Sequence, residues 1–277
     1  MRVVSIDYKP IAEVCFLNAG RGAGGYYEDR LPILSAELQE LPSGLDAVIA
    51  TADLQGRARF QKSQSGPPRL LGEVLPKILT EVVATIGLSN PDRIAVLLAG
   101  DFYTVPALDK RGGSGDVSSV WQSFGRSFGA VAGVAGNHDT FGPNQETRPR
   151  FPKQLRFLDG DRTSIEGIRV AGIGGIIGNP TRLQRRTEQE YLEVLESLLL
   201  EPLDVLVMHD GPDAPSCGFK GSSAVREVIE RYQPPLVVRG HSHWPDPLVE
   251  LASGVQVLNV DARAVVLRAV DRTQANP

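Results

Sequence analysis

Leu236-Val237-Val238-Arg239-Gly240-His241-Ser242-His243 decides how this chain is read. A short apolar run bounded by glycine reads as a buried strand, and this one ends in two imidazoles at positions i and i+2. In extended backbone such residues point to the same side, so both rings reach toward one place. The arrangement recurs along the chain. Ala47-Val48-Ile49-Ala50 leads to Asp53-Leu54-Gln55, and Ile94-Ala95-Val96-Leu97-Leu98 leads to Gly100-Asp101. An Ala/Val/Gly run leads to Gly136-Asn137-His138-Asp139, and Val205-Leu206-Val207 leads to His209. A lone histidine behind an apolar strand is more often a hydrogen-bonded core residue than a ligand. Here all 4 histidines of the chain stand in motifs rich in Asp, Asn and Gly, and that joint pattern points to metal chemistry.

In layered α/β folds ligands gather outside the strand ends. Asp53, Gln55, Asp101, Asn137, His209, His241 and His243 would supply hard oxygens and borderline imidazole nitrogens, a set suited to Mn, Fe, Zn or Mg and large enough for two ions.

The ordered motifs Asp53-Leu54-Gln55, Gly100-Asp101, Gly136-Asn137-His138-Asp139, His209 and Gly240-His241-Ser242-His243 resemble those of the calcineurin-like metallophosphoesterases over residues 45–268. That family's pattern is D-x-H, G-D, G-N-H-D or G-N-H-E, a lone His, then G-H-x-H. The ordered set carries the specificity, since Gly100-Asp101 alone would mean nothing. The resemblance implies a four-layer αββα sandwich of two mixed β-sheets flanked by helices. It also implies metal-dependent hydrolysis of a phosphodiester or phosphomonoester. One ion would be held by Asp53, Gln55 and His243, and a second by Asn137, His209 and His241. Asp101 would bridge them, with a bridging hydroxide as nucleophile. His138 matches the family's catalytic histidine, which binds no metal and acts as general acid, and Asp139 is placed to orient it.

Two departures stand out. Gln55 replaces the usual histidine, and Gly100-Asp101-Phe102-Tyr103-Thr104 lacks the family's following acidic residue or asparagine. A glutamine carbonyl is a harder and weaker donor than imidazole, so a looser first position is expected, with two divalent ions, Mn foremost and Fe, Zn or Mg next. Other readings of the same site are a nuclease, a protein phosphatase, or a scaffold with a degenerate metal site. The retained His138 argues against the scaffold.

With 42% hydrophobic and 22% charged residues the chain is ordinarily globular. A net charge of -4 argues against broad affinity for nucleic acid, which enters only as a possible substrate. Arginines do cluster after the motifs. Arg148 and Arg150 lie beside Lys153, and Arg182 and Arg185 beside Arg186, as candidates for substrate phosphate or as plain solvated surface. Cys15 and Cys217 form no CxxC, so neither a zinc knuckle nor a disulfide framework is indicated. The N-terminus has no secretory pattern and no apolar run reaches the ~20 residues of a membrane-spanning helix, so a cytoplasmic enzyme without membrane partners is expected. No GxSxG elbow or Walker A loop occurs.

Residues 1–44 read as an N-terminal addition packed on a domain of residues 45–277. Within it Glu13 to Leu17 reads as a strand and Leu31 to Leu41 as a short helix. The glycines between them contain a formal GxGxxG, but the following Tyr26-Tyr27-Glu28-Asp29-Arg30 and Pro32 do not open the helix a dinucleotide site needs. They read instead as a flexible loop that could cover the site. Residues 110–116 read as another mobile loop and residues 272–277 as a frayed tail. Helices are expected over Leu70 to Ile86, with Pro76 a possible start, over Glu188 to Leu200 and over Ser223 to Tyr232. Further strands are expected at Ile168 to Gly172, Val255 to Val260 and Ala264 to Leu267, which the family resemblance places in a second sheet.

Overall fold

Runs of Val, Ile, Leu and Ala with no polar alternation form strands when both faces are covered. In the computed structural model, which describes residues 1–20, 25–59, 68–110 and 112–270, those runs are the centres of two sheets. The chain opens with β1 (Val3–Ile6), β2 (Ala12–Ala19), β3 (Tyr26–Leu38), β4 (Ala47–Ala52) and β5 (Ile94–Leu98). It continues with β6 (Gly115–Asp116), β7 (Ala130–Gly133), β8 (Asp139–Thr140) and β9 (Leu155–Phe157). Then come β10 (Asp161–Ile165), β11 (Ile168–Ile173), β12 (Ile176–Ile177), β13 (Arg185–Arg186) and β14 (Val205–Met208). The last strands are β15 (Leu236–Arg239), β16 (Leu248–Glu250), β17 (Gln256–Asn259) and β18 (Arg263–Ala269).

The first sheet has the order β1-β3-β18-β4-β5-β7-β9, with β2 paired to β3. The second runs β10-β11-β14-β15-β17-β16, and β6 with β8 and β12 with β13 make two short ladders. In the first sheet β4, β5, β7 and β9 are parallel, and in the second β11, β14, β15 and β17 are parallel. Val48, Ala50, Leu97 and Val134 of the first sheet meet Val170, Val207, Val238 and Leu258 of the second in one apolar layer. The opposite face of the first sheet packs on α1 (Leu71–Thr85) and α2 (Ser118–Ser127), and that of the second on α3 (Glu188–Leu199) and α4 (Ser223–Tyr232). The result is the expected αββα sandwich.

Local chemistry sets the helix ends. Thr187 and Glu190 form a reciprocal capping box on α3, and Ser222 caps α4 through Val225 N at 3.2 Å. Pro76 lies inside α1, which begins before it at Leu71. α2 has no clear sequence signal and buries Val120, Trp121 and Phe124.

Two expectations change. The segment from Leu31 to Leu41 is no helix: it continues β3, and Leu31, Ile33, Ala36 and Leu38 are buried between neighbouring strands. Nor does Ala264 to Leu267 join the second sheet, because β18 inserts between β3 and β4 in the first. Residues 1–44 therefore extend the core sheet itself. The glycine loop at 21–24, Arg111 and the tail from 271 lie outside the described residues. Cys15 and Cys217 are free thiols, and no helix among the described residues is long and apolar enough to cross a membrane.

Trp121 is fully buried among Phe141, Phe151 and Phe157, with ring centroids 5.3–6.5 Å away. Trp121→Ala is expected to cost about 3–5 kcal/mol of stability, read as a lowered urea midpoint at unchanged slope.

Candidate metal centre

Every residue singled out at a strand end arrives at the same edge of the sandwich, because the parallel strands β4, β5, β7, β14 and β15 all deliver their carboxyl ends there. The turns that follow are tight. Asp53, Asp101 and His241 have φ of 53°, 59° and 68°, left-handed backbone that non-glycine residues rarely hold and that clusters at functional sites. The motif glycines allow the loops to meet. A Cβ on Gly136 would lie 2.0 Å from Asp101 Oδ1, and one on Gly240 would lie 2.3 Å from Asp53 Oδ2.

Asp101, His209 and His241 bring ligand atoms within 4.8 Å of one another, a group able to hold a cation. His209 is fully buried. Its Nδ1 donates to the Ala99 carbonyl at 2.8 Å, which turns Nε2 toward Asp101 Oδ2 at 3.4 Å, where a cation would displace the Nε2 proton and take its lone pair. His209 Nε2 and Asn137 Oδ1 are both buried without a hydrogen-bond partner. Asp101, His209 and His241 make a donor set that fits a divalent ion, which would replace the proton on His209 Nε2, and the buried, partnerless Asn137 Oδ1 is a candidate fourth donor.

The electrostatics agree. Burial disfavours the His209 imidazolium, but Asp101 and Asp53 outweigh it and push the group up to about 10. His241, desolvated and facing His209, is pushed down to about 4. Burial, with Asp261 and Asp101 nearby, raises Asp53 well above the usual carboxylate range. Crowded carboxylates thus hold a positive charge among them.

The other half of the expected ligand set is differently disposed. Asp53 Oδ2 accepts the His241 backbone N–H at 2.9 Å. Gln55 turns its amide nitrogen to Asp101 Oδ2 at 3.0 Å. His243 is exposed and stands beside Asp261 and Arg263, with Arg263 Nη2 3.2 Å from each ring nitrogen. These donors are close to the cluster without joining it.

A cavity of about 520 Å³ opens over the cluster and is lined by Asp53, Gln55, Asp101, His138, His241 and His243. The N-terminal strands wall it with Phe16, Asn18, Asp29 and Arg30. β2 is tied to the first motif by paired backbone bonds, Leu17 N to Arg57 O at 2.7 Å and Arg57 N to Leu17 O at 2.8 Å. The buried Arg57 guanidinium in turn donates to the carbonyls of Pro68, Thr104 and Val105.

His138 lines the cavity, donates its backbone N–H to Asp101 Oδ1 at 2.8 Å, and has a buried Nδ1 without a partner. Asp139 does not orient it, a correction to the expected His-carboxylate pair. Its carboxylate accepts the backbone N–H groups of Asp101, Phe102 and Gly136 at 2.8–2.9 Å and has no capacity turned to the imidazole. Burial and the Asp101 charge push Asp139 up to about 6.

The four arginines expected at substrate phosphate, Arg148, Arg150, Arg182 and Arg185, are absent from the cavity lining. Arg148 pairs with Asp161 and lies over the Phe157 ring. The cavity takes its arginine from the N-terminal strands instead, as Arg30. Asp261, at the end of β17, follows the strand-end pattern that marks the other ligands. Arg263 and Arg30 carry no such signal.

The model of the calcineurin-like phosphoesterase family matches residues 47–245. No curated protein matches the sequence. Among solved structures, TT1561 of Thermus thermophilus is similar with a TM-score of 0.53 at 18% identity, over 78% of this chain and 88% of that one. The 5'-nucleotidase from Candida albicans is similar with a TM-score of 0.41 at 13% identity, over 80% of this chain and 46% of that one. The first is a likeness of fold. The family match spans every loop from Asp53 to His243, and the chain belongs to the calcineurin-like phosphoesterases.

Proposed function

We propose that the protein hydrolyses phosphate esters of small molecules at a divalent metal centre held by Asp101, Asn137, His209 and His241, with His138 as the general acid. One observation carries this reading: the cation-holding cluster and an unpaired histidine line the same cavity. A divalent ion held there supplies Lewis acidity, which activates water and draws charge from phosphoryl oxygens. The chain's own residues do the rest. Water attacks phosphorus, giving up a proton to solvent from which His138 is later reprotonated, and the ester P–O bond breaks. His138 gives its proton to the departing oxygen, because an alkoxide is a poor leaving group at neutral pH. The bond from His138 N to Asp101 ties the acid to the metal ligand, so the two keep a fixed relation. Arg30 lines the cavity and pairs with Glu13 at 2.8 Å, and it is the candidate partner for phosphate oxygens by exchanging that exposed pair. Asn18 and Asp29, joined by a 3.1 Å hydrogen bond, offer acceptors to hydroxyls on the leaving group.

The cavity is closed on one side by β2 and β3, which favours a small ester over a polymer. A nuclease would need cationic groups in series along the site, and the arginine clusters at 148–150 and 182–186 do not line it. Mn is the metal proposed for this set of two oxygen and two imidazole donors, with Fe or Zn as the alternatives the imidazoles allow.

Chelator-treated protein is expected to lose hydrolysis of bis(p-nitrophenyl) phosphate and p-nitrophenyl phosphate and to regain it with Mn. Persistent activity in the metal-free protein would sink the reading. His138→Ala should lower kcat ~10²–10⁴-fold with metal content by mass spectrometry unchanged; loss of metal in that variant would make His138 a ligand instead. Asp139→Asn should lower stability by about 1.5–3 kcal/mol and metal occupancy with it, since it leaves backbone donors of both loops poorly paired. Full stability and occupancy with only kcat reduced would return Asp139 to the role of orienting His138.

A further inference from the structure

The ligand set implied by family membership divides into two positions around Asp101, and this chain builds them unequally. At one position the ligand atoms of Asp101, His209 and His241 converge, and His209 Nε2 and Asn137 Oδ1 are buried without hydrogen-bond partners. At the position of Asp53, Gln55 and His243 each group is engaged elsewhere. Gln55 offers Asp101 Oδ2 an N–H donor at 3.0 Å, and that nitrogen cannot ligate a cation. His243 has left the cluster. Its ring faces Arg263, whose Nη2 is 3.2 Å from both imidazole nitrogens, and its Nδ1 lies 3.3 Å from Asp261 Oδ1.

Arg263 is itself part of the fold. It is 4% exposed, opens β18, and donates to the carbonyls of Trp244 and Asp261. A guanidinium is charged at every physiological pH, so a permanent cation stands beside the imidazole that a first metal ion would require. The acidic neighbour Asp261 that would attract such an ion already has this charge close by. The residues at the first position do not fit a divalent cation.

We propose that this protein holds a single divalent ion, in the position of Asp101, Asn137, His209 and His241, and that Arg263 together with the Gln55 amide takes over the first position, providing fixed positive charge and a donor where relatives of the full motif place a metal. The proposal rests on the functional reading above for the position that is filled.

The test is metal stoichiometry on the full chain. Protein stripped with chelator is titrated with MnCl₂ by calorimetry and equilibrium dialysis, and the loaded form is examined by electron paramagnetic resonance. One Mn per chain, with the spectrum of an isolated ion, is expected. Binding should vanish in His209→Ala. The double variant Gln55→His/Arg263→Gln restores an imidazole, removes the charge and keeps a donor for the Trp244 carbonyl. It should take up a second Mn and show an exchange-coupled spectrum. Two Mn per wild-type chain with a coupled spectrum would overturn the single-ion proposal and leave metal-dependent hydrolysis standing. No Mn bound at all would overturn the functional reading along with it. If the double variant does not fold, as judged by circular dichroism, the wild-type count alone decides.

Discussion

The carboxylate of Asp139 holds the site together. It is fully buried and gathers backbone N–H groups from the loop after β5 and from the loop after β7, adding to the bond from His138 N to Asp101 Oδ1 between the same two loops. A buried anion is tolerated only where several donors surround it, and here the donors belong to the chain positions that aim Asp101 and His138. The loop geometry depends on that one interaction. Remove the charge, and the left-handed backbone at Asp101 loses two of the bonds that hold it, those of Asp101 N and Phe102 N.

From that clamp outward the construction is hierarchical. Gly136 and Gly240 let the backbone approach the two aspartates closely, and the parallel strands fix where each loop begins. The Ala99 carbonyl fixes the ring of His209. On the other side of the cavity, Arg57 stitches the first motif to the segments at Pro68 and Thr104-Val105, so the wall and the floor move as one body. Positional precision of this kind is what a site needs when a proton donor and a cation must act on one phosphorus.

The central strands are legible in the sequence because Ala47 to Ala50, Ile94 to Leu98 and Leu236 to Val238 are buried on both faces and read as unbroken apolar runs. The ligand motifs are legible for the same reason: a polar residue directly after such a run has only one edge to go to. The segment of β3 misleads because Leu31, Leu34 and Leu38 also satisfy a helical period, and only pairing with β18 decides between the two. Sequence says which residue is acidic but not where its carboxylate turns, so the adjacency of Asp139 to His138 suggests a pair while the carboxylate itself serves the backbone. Arg263 cannot be found from spacing at all. It reaches His243 only because β18 returns from the second sheet to the first.

That return has a consequence for how the molecule comes into being. β18, at residues 263–269, pairs with β3 on one side and β4 on the other, so the strands made first enter the main sheet through the strand made last. Contacts between such distant parts of a chain form slowly, because loop closure must precede the gain from pairing. During synthesis the half of the sandwich built from β4, β5 and β7 can form early, while β2 and β3 wait with their edges unpaired. The wall made by β2 and β3 is thus the last part of this fold to mature, and a chain arrested before β18 would carry the cluster of Asp101, His209 and His241 with no enclosure around it.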